Sequence, residues 1–162
     1  RTREVDAATL ETAALTFTTD AADISGFDIY VLTVPTPVDA NKAPDLSAVR
    51  DASRIVGGVM AKGAIVVFES TVYPGVTEDV CGPDIEAASD LVCGKDFFLG
   101  YSPERINPGD REHTVDKITK VVAGQTPDVT NALSDLYGAI TSGGERQPRS
   151  LPSLSKPGTR TT

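Results

Sequence analysis

The chain has 162 residues, enough for one domain with a hydrophobic core, and 40% of them are hydrophobic. Its net charge of −8 argues against nucleic-acid binding, which needs a basic surface. No apolar stretch approaches the roughly 18 residues of a membrane span, and no signal peptide opens the chain. We therefore expect a cytoplasmic protein without nucleic-acid or membrane partners. Two cysteines and one histidine fit no zinc pattern, so we expect no metal site.

Apolar and amphipathic segments alternate through the first 144 residues, which is typical of a parallel α/β sheet with helices on its faces. The predicted elements are a helix over residues 5–14, a strand over 15–18, a helical turn over 20–25, a strand over 29–34, a helix from Asp45 to 62–63, a strand over 64–68, a helix over 76–88, strands over 97–101 and 120–123, and a helix over 128–139. Gly82 and Pro83 should break or kink the helix over 76–88, because proline has no amide N–H to donate.

Three polar segments follow three of the predicted strands. They are VPTPV at residues 34–38, ESTVYPG at residues 69–75 and YSPERINPG at residues 101–109. In an open parallel sheet the carboxyl ends of the strands are where ligands bind. The three segments together therefore predict a single binding cleft at this edge.

Two threonines stand in the first two segments. Thr36 lies between two prolines that cannot pair in a sheet, so the chain must leave the sheet there. Its hydroxyl either satisfies a local backbone group in a turn or contacts a ligand. Thr71 precedes residues 74–75, where a helix is expected to begin. It either caps that helix or meets a phosphate, a ribose or a nicotinamide amide.

The third segment places a carboxylate and a guanidinium side by side, at Glu104 and Arg105. Arginine suits bidentate contacts to phosphates, and a partly desolvated glutamate can act as a general base. The alternative is a surface ion pair, which would contribute little.

Together these segments resemble the UDP-glucose/GDP-mannose dehydrogenase family, and within it the UDP-N-acetylhexosamine 6-dehydrogenase branch. The resemblance covers about residues 4–144. It is carried, in order, by DIYVLTVPTPVDANKAPDL (28–46), ESTVYPGVTEDV (69–80), FFLGYSPERINPGDREHTV (97–115) and KITKVVAGQTP (117–127).

The resemblance implies a Rossmann-like NAD domain within a two-domain enzyme, usually a homodimer. Such enzymes oxidise the C6 hydroxyl of a UDP-(N-acetyl)hexosamine to the uronic acid in two NAD-linked steps, through a cysteine-bound intermediate. It implies that Thr36 contacts NAD and that Thr71 lies against the cofactor, near the reacting carbon. Glu104 would be the acid/base, and Arg105 and Ile106 would lie with it beside the sugar nucleotide.

The chain also departs from the family pattern. It contains no G-x-G-x-x-G motif, and Cys81 and Cys93 do not match the position of the family's nucleophile. We therefore expect an internal fragment that is inactive alone, with a truncated Rossmann-like parallel sheet lacking its first β-α-β unit. Residues 1–144 would form the partial NAD domain. Residues 145–162, with three prolines, four basic residues and one acid, would be a disordered or non-native tail.

Two alternatives to a nucleotide-sugar dehydrogenase stay open from the residues. One is a catalytically silent nucleotide-binding or assembly module, and the other is a different β-hydroxyacid-type dehydrogenase. In a doubly wound sheet, the missing β-α-β unit would supply the two strands between those over 15–18 and 29–34. Without it, we expect the strand over 29–34 to be an open sheet edge and the strand over 15–18 to lack a partner.

Overall fold

Four short strands form one sheet in the computed structural model, which describes residues 7–38, 41, 43–103 and 120–141. In their order across the sheet they are β1 (Ile29–Leu32), β2 (Ile65–Phe68), β3 (Phe98–Tyr101) and β4 (Ala123–Gly124). β1, β2 and β3 are parallel, with Ile29 opposite Ile65 and Ile65 opposite Phe98. β4 is antiparallel to β3, with Gly100 opposite Gly124. The predicted parallel sheet is confirmed for three strands, and a two-residue antiparallel strand completes it.

The helices lie between the strands, as the alternating pattern predicts. They are α1 (Ala7–Thr12), a 3-10 helix (Ala21–Ile24), α2 (Ser47–Val59), a π-helical segment (Val76–Cys81), α3 (Gly82–Ser89) and α4 (Pro127–Gly138). The Asp45 carboxylate accepts a hydrogen bond from the Ser47 amide at the start of α2 (2.9 Å), and this bond lowers the pKa of Asp45. The expected break at Gly82 and Pro83 is absent, because the helical backbone runs on through both residues and only its hydrogen-bond pattern changes there from π-helical to α-helical.

Apolar side chains cover both faces of the sheet. Successive strand residues point to opposite faces, so Val66 and Phe68 lie on one side and Val67 on the other. The first side packs against α2 and α3 through fully buried side chains such as Val49 and Ile85. The second packs against α4, where Leu133 is also fully buried. Burial on both faces explains the continuous apolar character of β2, whose residues are buried or half-buried.

The predicted strand over residues 15–18 is wrong. These residues form no ladder, and Leu15 and Phe17 are 56% and 83% exposed. A strand needs a neighbour to take up its amide and carbonyl groups, and this segment has none among the described residues. Among the described residues β1 lies at the end of the strand order, so the expected open edge is confirmed for that part of the chain.

Candidate functional site

The chain leaves β1, β2 and β3 at the same edge of the sheet, and backbone hydrogen bonds tie these exits together. The Glu69 amide donates to the Leu32 carbonyl (2.9 Å), which continues the β1–β2 ladder by one residue. The Ser102 amide donates to the Phe68 carbonyl (3.0 Å) between β3 and β2. The segments that follow therefore begin side by side, as parallel strand ends require.

The first two polar segments are hydrogen-bonded across each other. The Thr36 hydroxyl donates to the Thr71 carbonyl oxygen (2.6 Å), and the Ser70 hydroxyl donates to the Val34 carbonyl oxygen. Ser70 is buried, Thr36 is half-buried and Thr71 is exposed. The structure thus brings the two predicted threonines together at one edge and leaves the Thr71 side chain facing solvent.

These contacts test only the structural alternative for each threonine, and the ligand contacts stay predictions. Thr36 gives its proton to the Thr71 carbonyl on the neighbouring loop, so it joins two loops and does not close a local turn, and its oxygen can still accept a hydrogen bond. Thr71 does not cap the following helix. That helix begins at Val76, Gly75 takes the cap position, and no side chain caps it.

The helix start after Gly75 is poorly suited to a phosphate. Glu78 and Asp79 lie in its first turn, where their negative charges would repel an anion. The Thr77 hydroxyl is already bonded to the Glu78 carboxylate (2.6 Å). Within this described segment, the loop residues before the helix are better placed than the helix start for a ligand contact.

Glu104, Arg105 and Ile106 lie outside the described residues, so their placement stays a prediction. The described chain ends at Pro103 on one side of this segment and resumes at Lys120 on the other.

A largely buried ionic cluster lies directly beside the threonine loops, and the motifs did not predict it. One oxygen of the Glu69 carboxylate accepts hydrogen bonds from the Lys120 ammonium (2.9 Å) and the Tyr137 hydroxyl (2.7 Å). The Lys120 nitrogen also lies 5.2 Å from the centre of the Tyr137 ring. The side chains of Lys120 and Glu69 are 8% and 19% exposed. Burial, followed by the bond to the carboxylate, raises the pKa of Tyr137.

Neither cysteine has the character of a nucleophile. Cys81 is fully buried, and Cys93 is half-buried, with its sulfur 3.5 Å from the amide nitrogen of Gln125. Burial raises the pKa of both thiols, so the reactive thiolate is disfavoured. Within the described ranges, no group of three His, Cys, Asp or Glu side chains is placed to hold a metal ion. No helix in those ranges has the length and apolar character that a bilayer crossing needs.

An apolar groove of about 490 Å³ runs along the open edge of β1. It lies between that strand, the 3-10 helix and α2, and its walls include Phe27, Val31 and Ile55. These three side chains are about half exposed, at 56%, 44% and 52%.

A largely parallel sheet covered on both faces, with polar loops at the carboxyl ends of its strands, is the architecture of dinucleotide-binding α/β proteins. Residues 2–141 match the model of the UDP-glucose/GDP-mannose dehydrogenase family, NAD binding domain. The chain belongs to this family, and NAD is the cofactor of the matched domain.

Relatives with known names or structures support this placement. A Pseudomonas aeruginosa protein named UDP-N-acetyl-D-glucosamine 6-dehydrogenase is 48% identical over 151 residues, covering 93% of this chain and 36% of that protein. The structure of UDP-D-ManNAc dehydrogenase from Pyrococcus horikoshii is 30% identical with a TM-score of 0.73, covering 82% of this chain and 31% of the other. NDP-N-acetyl-D-galactosaminuronic acid dehydrogenase from Methanosarcina mazei is 34% identical with a TM-score of 0.75, covering 81% and 28%. The chain therefore spans about a third of the length of such relatives.

Proposed function

We propose that this chain is part of an NAD-dependent nucleotide-sugar 6-dehydrogenase. The complete enzyme would oxidise the C6 hydroxyl of a UDP-(N-acetyl)hexosamine to the uronic acid. The observation that carries the proposal is the hydrogen bond from Thr36 to the Thr71 carbonyl, which joins two polar loops at the carboxyl ends of β1 and β2. Ligands of open α/β sheets bind at this edge.

The substrate class follows from the relatives. The Pseudomonas protein is named for UDP-N-acetyl-D-glucosamine, and proteins 31% to 33% identical to this chain are named for UDP-N-acetyl-D-mannosamine. Because these names share a UDP-N-acetylhexosamine and differ in the sugar's configuration, we propose the class and not one sugar.

The described residues fit a bound nicotinamide cofactor, which when bound supplies the acceptor for the hydride. The Thr71 side chain is exposed at the strand edge, and the Thr36 oxygen can still accept a hydrogen bond. We assign Thr36 to cofactor binding and Thr71 to the reactive end of the cofactor, beside the carbon that is oxidised. A hydroxyl held there can steady the alcohol oxygen as its charge changes.

Glu104 is proposed as the general base for hydrolysis of a thioester formed on a cysteine of the complete enzyme. Water adds to the thioester carbonyl carbon and gives a proton to the Glu104 carboxylate. The carbon–sulfur bond then breaks, and the thiolate leaves as the uronic acid forms. We assign Arg105 and Ile106, with Glu104, to contact the sugar nucleotide.

The organisation of the complete protein is proposed on the same basis. Residues 1–144 would belong to its NAD-binding domain, and residues 145–162 would be a disordered or non-native tail. The complete enzyme would be a cytoplasmic homodimer that acts on a UDP-sugar and binds neither nucleic acid nor membrane.

The test is NADH formation by the complete protein encoded with these residues, supplied with NAD and one nucleotide sugar at a time. We expect turnover with UDP-N-acetylglucosamine or UDP-N-acetylmannosamine and at least tenfold lower kcat/KM with UDP-glucose and GDP-mannose. An absence of NADH with all four sugars, from a protein that is folded and binds NAD, would contradict the proposal.

A catalytically silent nucleotide-binding or assembly module is the second candidate. It is favoured by the burial and raised pKa values of Cys81 and Cys93. Calorimetry separates the two functions, because a silent module binds NAD without producing NADH under any of the four sugars. A different β-hydroxyacid-type dehydrogenase would produce NADH only from a small hydroxy acid.

A further inference from the structure

The cluster formed by Glu69, Lys120 and Tyr137 lies close to the proposed cofactor loops in the chain and in space. Glu69 is the first residue after β2, and Thr71 is two residues further on. Its carboxylate is bonded to one residue before β4 and to one residue of α4. The cluster therefore joins three parts of the fold at the base of the loop that carries Thr71.

The backbone at Glu69 is held from the opposite direction. Its amide donates to the Leu32 carbonyl at the end of β1. The next two residues are bonded to the segment after β1, through Ser70 to Val34 and through Thr36 to the Thr71 carbonyl. Glu69 is thus anchored to α4 by its side chain and to β1 by its backbone.

A gain in folding stability does not by itself account for charged residues at this place in the fold. Removing most of a lysine and a glutamate side chain from water carries a desolvation cost that offsets their attraction, and well-packed apolar residues in such places are often as stabilising or more so. A buried ion pair does, however, fix one geometry. Here the fixed geometry is that of the strand end from which Thr71 projects.

From this arrangement we propose that Glu69, Lys120 and Tyr137 are positioning residues, whose hydrogen-bonded cluster sets the place of Thr71 relative to Thr36. The inference rests on the proposed function, in which Thr71 lies at the reactive end of the cofactor. Its prediction is that loosening the cluster lowers kcat and leaves the KM for NAD nearly unchanged, because Thr71 acts at the chemical step.

The test compares two tyrosine-to-phenylalanine variants that are matched in burial. Tyr137 and Tyr30 are 6% and 5% exposed, and each uses its hydroxyl in a hydrogen bond, Tyr30 donating to the Ile24 carbonyl (2.9 Å). A merely structural role predicts that Tyr137→Phe and Tyr30→Phe behave alike. A positioning role predicts that only Tyr137→Phe affects the loop.

The first readout is the amide chemical shifts of Thr36, Ser70 and Thr71 in the ligand-free complete enzyme. The second is kcat and the KM for NAD in the complete enzyme. We expect Tyr137→Phe to move these amides and to lower kcat at least fivefold with KM within twofold, and Tyr30→Phe to do neither. Glu69→Gln, which keeps the side-chain shape and removes its charge, serves as a second variant with the same expected direction.

The outcomes separate this inference from the proposed function. If Tyr137→Phe leaves the amide shifts or kcat at the values of Tyr30→Phe, the positioning role is wrong. If the unmodified complete enzyme makes no NADH, the proposed function fails, and the amide shifts alone then decide whether the cluster sets the loop.

Discussion

At the scale of single residues, the structure gives the two threonines different tasks. The Thr36 hydroxyl donates its hydrogen bond to a backbone carbonyl, whereas Thr71 is exposed at the edge of the sheet. A hydroxyl committed to holding a loop contributes mainly to structure, and its loss costs about 1 kcal/mol. The exposed Thr71 hydroxyl does not hold the two loops together, and its position at the strand edge suits contact with a reacting group.

The first prediction follows from this difference. In the complete enzyme, Thr71→Val should lower kcat by roughly 30- to 800-fold, because losing one stabilising contact in the transition state costs about 2–4 kcal/mol. Thr36→Val should change kcat less than tenfold. Steady-state kinetics on both variants is the measurement, and equal kcat values for the two would contradict the assignment.

A second prediction concerns the carboxylate of Asp84 in α3. Hydrogen bonds from Arg50 (2.7 Å) and Arg54 (3.0 Å) of α2 hold the pKa of Asp84 below its usual value. Because the pKa is lower in the folded chain, this pairing stabilises the fold above the unfolded pKa of about 3.9 and is lost as the pH falls through the folded value. We expect the free energy of unfolding to decrease from about pH 5 to pH 3, over the range where the unfolded-state carboxyl takes up its proton.

The control for the acid dependence is Asp51. It pairs with Arg54 at 3.0 Å, but its side chain is 68% exposed, against 12% for Asp84. Denaturant titrations at several pH values should show a shallower acid slope for Asp84→Asn than for Asp51→Asn. Parallel slopes in the two variants would show that the Asp84 pairing contributes nothing to stability.

At the scale of elements, α2 and α3 approach each other closely at Gly57. A Cβ atom added at Gly57 would lie 2.9 Å from the Ile85 carbonyl oxygen and 2.9 Å from the Ala88 Cβ. Backbone cannot move aside as easily as a side-chain end, so α3 would have to shift. At the next position, Gly58, an added Cβ meets nothing within 4 Å.

These neighbouring glycines make a matched pair for a third prediction. Gly57→Ala should lower the free energy of unfolding by about 1–3 kcal/mol through overpacking. Gly58→Ala should raise it by about 0.5–1 kcal/mol, because alanine is the better helix former. Chemical denaturation of both variants checks the signs, and a stabilised Gly57→Ala would contradict the packing of α2 on α3.

The elements also show what the sequence could predict. Apolar runs such as residues 64–68 and the amphipathic pattern of 128–139 have the lengths of real elements, and the structure contains both within a residue or two. The predicted strand over 15–18 was wrong because the apolar character of a segment does not show whether a neighbouring strand is present to pair with it. The antiparallel direction of β4 was not predictable either, since its two residues carry no signal of orientation.

The same reasoning applies to the site. The threonine loops were predictable because each directly follows a recognisable strand. The Glu69 cluster was not, because Lys120 and Tyr137 lie 51 and 68 residues away from Glu69, and no local pattern reports pairing over such separations.

At the scale of the whole molecule, the open edge of β1 is the feature with the largest expected effect on stability and association. Val31 is 44% exposed on this edge strand, and Leu15 and Phe17 are exposed in the segment that forms no strand. Unpaired edges with apolar side chains favour association with other chains. Apolar surface that stays in water also lowers the free energy of unfolding, since its burial would contribute about 25 cal/mol per Å².

A fourth prediction follows for the isolated 162-residue chain. We expect broad, weakly cooperative thermal unfolding and concentration-dependent oligomers. Calorimetry with light scattering is the measurement. A sharp two-state transition of a monomer above about 60 °C, at or beyond the usual mesophile range, would contradict this expectation.

The central claim is that the carboxyl ends of β1 and β2 hold the cofactor, and titration of NAD into the 15N-labelled complete protein tests it most directly. The account predicts that the amide shifts of Thr36 and Thr71 move together with one affinity. Shifts confined to residues of the groove along β1, such as Val31 and Ile55, would contradict it.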